Sequence, residues 1–260
     1  MSKHDGASKE YRISSHISNI QSWIFWINIS ICLVAYVFPM FISKFIFIAQ
    51  IVLPILYCLL AFINNNYFWY SAEKKRRLLL FSDGCDKSFC NETTVEYYNN
   101  HYEGSFLRLA VNAFESSFFT TRIAKHMLIP SAIKGVIVLL LLFVISLLRC
   151  DYAFILIVAQ AIFSGTLLVN FGNQCFYYMR VKNIYESFFT HFITQGITNK
   201  KQKDIIFVNV VEYECIKSFY QIRLSTKIFN KVNPSLKIEW ENMESKIKIA
   251  PSIENNIKKI

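Results

Sequence analysis

"FIFIAQIVLPILYCLLAFI", Phe45–Ile63, carries no charge, and its main interruptions are Gln50 and Pro54. A helix needs about 20 apolar residues to cross a bilayer core, so this stretch reads as a membrane span. Just before it, "IFWINISICLVAYVFPMFI", Ile24–Ile42, is also uncharged, with Asn28 and Ser30 as its clearly polar members. Further on, "YAFILIVAQAIFSGTLLVNF", Tyr152–Phe171, is another such stretch. Gly135–Leu148 is shorter. It reaches spanning length if it begins near Leu128, with the Lys134 ammonium extended toward the head groups.

The expected fold is therefore an all-α membrane protein, with four transmembrane helices in two hairpins, 24–63 and 128–171, plus helical cytoplasmic segments. Composition agrees: 53% of the 260 residues are hydrophobic, where about half is ordinary, and the excess lies in these few blocks. A soluble core is a poor alternative, because Pro39 and Pro54 would each break a core helix.

Charge gives the orientation. The hairpin turns hold only Lys44 and Arg149 of the 28 Lys and Arg, which leaves 28 − 2 = 26 on the other side. Cytoplasmic loops retain Lys and Arg, so both termini and the middle segment are expected in the cytoplasm of a multi-pass inner (plasma) membrane protein. Trp23, Trp26, Trp69 and Tyr70 near the span ends suit an interfacial aromatic belt. The first span is too long for a cleaved signal peptide and is not followed by an A-x-A site.

The spans contain no Asp, Glu or His. Proton relays and carboxylate filters need such groups, which disfavours a coupled transporter. Gln160, Ser164, Asn170 and Gln174 share one side of the last span, and Ala161 and Gly165 form a small-xxx-small pair. These residues serve either packing within one chain or an oligomer seam or pore lining.

Outside the spans, residues 1–23 read as a cytoplasmic amphipathic helix, with Ile13, Ile17, Ile20 and Ile24 at helical spacing. The middle segment, 64–127, is the candidate sensor, and from Ser105 on it has an apolar stripe: Phe106, Leu109, Ala110, Ala113, Phe114 and Phe118. Residues 172–233 read as cytoplasmic helices, one of them from Asp204 to about Asn230. The tail, 234–260, is Lys-, Glu- and Asn-rich and partly disordered by composition.

Enzyme chemistry has no support. The five histidines are isolated, the seven cysteines lack metal spacing, and there is no Walker loop or Gly-x-Gly-x-x-Gly. The expectation is a non-enzyme without cofactor or metal.

The net charge of +10 calls for an anionic partner. The densest base cluster is Lys74, Lys75, Arg76 and Arg77, next to a predicted span. Attraction to anionic lipid, about 1 kcal/mol per base, explains it without a specific site. The alternative is a phosphate pocket in which arginine forks hold phosphate oxygens and Tyr97 or Tyr98 stacks on a base. There Asp83 would accept from an exocyclic amine or orient an arginine.

These residues resemble a known family. Lys75–Arg77, Asp83, Ser88–Phe89, Tyr97–Asn100, Asn112–Ser116 and Phe119–Thr120 look like the middle motif of the SMODS-associated four-transmembrane effectors of bacterial cyclic-oligonucleotide antiphage signalling. Ser218–Arg223, "SFYQIR", is similar to that family's C-terminal aromatic-x-x-Arg element. The chain departs from the pattern at Phe89–Cys90, where Phe-Gly is expected, and in the spacing from Asp83.

The resemblance implies an antiphage defence effector that binds a cyclic oligonucleotide, forms a homo-oligomer on activation and permeabilises the inner membrane. Its ligand would be a cyclic oligonucleotide and not a DNA or RNA polymer. Two other classes stay open: a constitutive membrane scaffold, and a small ion channel or transporter, each with a lipid-binding basic face.

Overall fold

Every regular element among the described residues is helical. The computed structural model describes residues 8–37, 44–85, 87, 89, 106–147, 167–197 and 199–247. Its elements are α1 (Ser8–Val37), α2 (Lys44–Ile63), a π-helical turn π1 (Asn64–Trp69), α3 (Tyr70–Cys85), α4 (Phe106–Leu147), α5 (Leu167–Phe189), π2 (Thr190–Thr194), α6 (Lys200–Tyr220) and α7 (Thr226–Glu244). They fall into two units. The first comprises Met1–Ser8, Glu73–Leu128 and Asn173–Ile260; the second comprises Lys9–Ala72 and Ile129–Gly172.

The first unit has the polarity of an ordinary protein interior. Phe114, Phe118, Phe188, Phe192, Tyr213 and Trp240 are completely buried. The predicted stripe of α4 supplies much of this core, with Leu109, Ala110, Ala113, Phe114 and Phe118 all buried. α7 joins through Leu236, Trp240 and Met243, whose i, i+4, i+7 spacing puts them on one helical face.

Local chemistry sets the helix ends here. α6 starts at a reciprocal capping box: Gln202 N–H donates to Asn199 Oδ1 at 2.9 Å, and Asn199 N–H donates to Gln202 Oε1 at 3.3 Å. It stops at Gln221, which is left-handed at φ 52° and whose N–H bonds the Lys217 carbonyl. The single helix expected from Asp204 to about Asn230 is thus two helices, broken over 221–225. Ser225 then caps α7 by accepting from Ile228 N–H. Pro234 lies inside α7, so the tail read as partly disordered from 234 on is helical as far as Glu244. The backbone bond that proline forgoes is offset by the burial of Leu236, Trp240 and Met243 just beyond it.

Close approach matters at one glycine. A Cβ on Gly84 of α3 would lie 2.8 Å from Leu109 Cβ and 3.0 Å from Leu109 Cα of α4. Part of that obstruction is backbone, so a side-chain rotation does not relieve it. Gly84→Ala is expected to destabilise the first unit by about 1–3 kcal/mol, as overpacking does. Thermal unfolding in detergent checks this, and an unchanged midpoint would mean that α4 yields freely.

The second unit has the opposite polarity. On α2, Ile48, Val52, Ile55, Leu59 and Phe62 are exposed; so are Ile129, Ile133, Val136, Leu140 and Phe143 of α4. α1 likewise exposes Trp23, Ile27 and Val34, and buries Ser14, Gln21 and Asn28 along with Ile24 and Phe25. The amphipathic reading of residues 1–23 therefore changes in two ways. The helix runs on to Val37, and Ile13 and Ile20 face outward.

Ser14, at the start of the buried face of α1, has its partner on the residue that follows α2. Ser14 Oγ donates to Asn64 Oδ1 at 2.8 Å, and Asn64 Nδ2 donates to Ser14 O at 3.3 Å and Ser18 Oγ at 3.2 Å. Asn64, 1% exposed, opens π1, where the wider turn shifts the helical register by one residue. Tyr11 and Trp69 close the same contact edge to face at 5.6 Å.

Among the described residues, one helical stretch, Ile48–Cys85, is long and apolar enough to cross a membrane. Only 6% of its apolar window is buried, so it is not a core helix. Of the other spans read from sequence, 38–42, 148 and 152–166 lie outside the described residues.

Candidate functional site

The basic cluster falls on α3, and its four members have different surroundings. Lys74 is exposed, while Lys75 and Arg77 are half-buried. Arg77 Nε reaches the Glu73 carbonyl one turn back, at 3.4 Å. Arg76 turns into the first unit, its side chain 12% exposed.

Arg76 is fully engaged. Its Nε donates to Glu73 Oε2 at 2.9 Å and its Nη1 to Glu214 Oε1 at 3.2 Å. Nη2 donates to Glu214 Oε2, completing a two-pronged bond to that carboxylate. Lys217, one turn beyond Glu214 on α6, places its Nζ 4.0 Å from Glu73 Oε1 and 5.7 Å from the Tyr213 ring centroid. Two acids and two bases thus neutralise one another in a largely buried cluster. Burying charge is tolerated only with such pairing.

Two tyrosines extend the polar cluster. The Tyr213 and Thr120 hydroxyls are hydrogen bonded at 2.9 Å. The Tyr177 hydroxyl is wholly buried and has no hydrogen-bond partner among the described residues. Burial pushes both phenols up from their ordinary range, and the Glu73 and Glu214 carboxylates add to this while Arg76 opposes it. Both are neutral hydroxyls at physiological pH. Tyr220 packs edge to face on Tyr177 at 6.0 Å, with the Arg180 guanidinium 5.9 Å from its ring centroid.

Asp83, at the far end of α3, serves a second cluster. Its Oδ1 accepts from Arg108 Nη2 at 2.8 Å and its Oδ2 from Asn112 Nδ2 at 2.7 Å. The carboxylate thus orients an arginine and clamps α3 to α4. Asn112 is completely buried. The structure therefore brings together Asp83 and Asn112 of the quoted motif, and Gly84 allows the approach.

Tyr97 and Tyr98 lie outside the described residues, as do Gln160, Ala161, Ser164 and Gly165. Asn170 is exposed on α5. Among the described residues, no group of three His, Cys, Asp or Glu could hold a metal ion.

Sequence reading missed Glu73, Glu214 and Lys217. Glu214 lies 138 residues from Arg76. A signal was present, since Glu73–Arg76 and Glu214–Lys217 are both acid-base pairs at i, i+3 beside apolar positions.

No protein-family model, curated protein or solved structure matches the chain.

Proposed function

We propose that the protein is a membrane effector that binds a cyclic oligonucleotide, oligomerises and permeabilises the inner membrane, so that an infected cell stops growing. The inverted polarity of the second unit carries the membrane part of this reading. Soluble monomers rarely leave broad apolar faces open while burying Ser, Gln and Asn. Lipid reverses that preference, because hydrocarbon solvates isoleucine and phenylalanine and penalises a bare amide. In this reading the four spans form the two hairpins, both termini are cytoplasmic, and the sensor lies in the first unit.

The ligand part rests on the motif resemblance and on the positive charge. Ligand acts by stabilising an assembly that the free protein scarcely populates, through its higher affinity for that assembly. Lys74, Lys75 and Arg77 of α3 would meet its phosphates, together with whatever share of Arg76 the two carboxylates release.

Dye release from anionic liposomes carrying the purified protein tests this reading, with cyclic di- and trinucleotides added one at a time. Release is expected with one ligand and not with the others. Inserted, folded protein that releases nothing with any of them would favour the scaffold reading. One observation already points that way: the Arg76 fork is occupied by carboxylates, leaving a basic surface suited to anionic lipid.

A further inference from the structure

α6 is apolar on both sides. Inward it buries Ile206, Val210, Tyr213 and Ile216. Outward, Phe207, Val208, Val211 and Phe219 are 52%, 57%, 46% and 78% exposed, and Cys215 is exposed beside them. Residues four apart lie about 40° apart around a helix, so these five side chains fall within about 120°. A helix apolar all round is normally covered on every side. This one belongs to the first unit, and the aromatic core of that unit lies on its other side.

The order of side-chain sizes selects the occupant. Phe207, Val211, Cys215 and Phe219 follow one another at i, i+4, i+8 and i+12, a single ridge with small side chains at its centre and rings at its ends. Ridges of this kind on two helices pack with their axes crossing at about 50°. Crossed helices are closest at the crossing and diverge beyond it, so small residues belong in the middle and large ones at the ends. The ridge also has the same order of sizes from either end. A two-fold axis between Val211 and Cys215 sets Phe207 of one copy against Phe219 of the other, the self-match that an isologous interface needs. An anionic membrane suits the face less, because Asp204 and Glu212 stand exposed along the same side.

We propose that this face of α6 is where a second copy of the chain docks, antiparallel across that two-fold. The inference rests on the oligomerising reading above and gives it a contact surface. The face is much smaller than the roughly 20–30 residues on each side of a standard stable interface. The pair is therefore weak in dilute detergent and forms where copies are crowded in a bilayer or drawn together by ligand. An assembly that the free protein scarcely populates requires a contact of this strength.

Oxidative cross-linking of the full chain in anionic liposomes tests the docking, with and without a mixture of cyclic dinucleotides and cyclic trinucleotides. Val211→Cys is expected to trap a disulfide-linked dimer through the native Cys215 of the other copy. Ser235→Cys, exposed on α7, should give no more dimer than wild type. Phe207→Arg or Phe219→Glu alone, added to Val211→Cys, should lose most of the trapped dimer. Combined, they should regain it, because opposite charges then meet across the two-fold at both ends. Within one copy the two positions are about 18 Å apart along the helix and cannot pair. Monomer alone in both conditions, from inserted and folded Val211→Cys, overturns the pairing and returns the face to lipid or to a different protein. A double variant that is not rescued overturns it as well. A dimer that never releases dye supports the pairing and overturns the permeabilising reading alone.

Discussion

Arg76→Ala is expected to destabilise the first unit by about 3–5 kcal/mol, the range for breaking a buried ion pair from one side. The guanidinium serves Glu73 and Glu214 together, and their side chains are only 3% and 9% exposed. Removing it leaves both carboxylates in the interior with Lys217, itself 4.0 Å from Glu73, as the remaining base of the cluster. Lys74→Ala, at an exposed position on the same helix, is expected to stay within about 0.5 kcal/mol of wild type. Replacing both partners, Arg76→Met with Glu214→Leu, should recover much of the loss, because the desolvation cost disappears with the charges. Urea unfolding of the detergent-solubilised protein compares the three. An unmoved midpoint for Arg76→Ala would show that the pair contributes nothing net.

Arg76 is therefore a poor probe of ligand binding. Loss of dye release in Arg76→Ala would report a damaged fold as readily as a lost phosphate contact. Lys74 and Arg77 are the cleaner probes, since neither side chain bonds a carboxylate among the described residues. If both alanine variants keep the wild-type ligand response, the phosphate assignment on α3 is wrong.

Much of the helical architecture could be read from periodicity. The stripe from Phe106 to Phe118 recurs with helical period, and the same residues form the inner face of α4 because burial selects that period. Hydrophobic spacing identifies an apolar face but not the solvent that receives it. That ambiguity shows in α1: Ile13 and Ile20 face outward, while Ile24 and Phe25 are buried together with Ser14, Gln21 and Asn28. The break at Gln221 was hidden for another reason. It has neither Gly nor Pro to mark it, and a glutamine takes the left-handed position. The Lys-, Glu- and Asn-rich composition from 234 on hid the rest of α7, which continues through Pro234 to Glu244. The Arg76 cluster is a tertiary fact, joining residues far apart in the chain, so local spacing gave its halves and not their union.

Phe114→Ala is the other substitution expected to cost about 3–5 kcal/mol, as truncating a buried aromatic does. Phe114 is 0% exposed and stands where the helices of the first unit converge. Its ring stacks on Phe192 at 5.4 Å and meets Trp240 edge to face at 5.2 Å, with Phe188 at 5.8 Å and Tyr185 at 5.9 Å. α5, π2 and α7 therefore all touch this one side chain of α4. Truncation removes those contacts at once and leaves a cavity that four separate elements would have to close. Phe114→Leu retains most of the volume and is expected to cost under about 1.5 kcal/mol. Phe219→Ala, at a ring 78% exposed, removes little burial and should leave stability nearly unchanged. Near-ultraviolet circular dichroism adds a local reading, because the Trp240 signal depends on the ring it packs against. If Phe114→Ala unfolds at the same urea concentration as Phe219→Ala, α7 is not held by this aromatic cluster, and the convergence on Phe114 is not what binds the unit together.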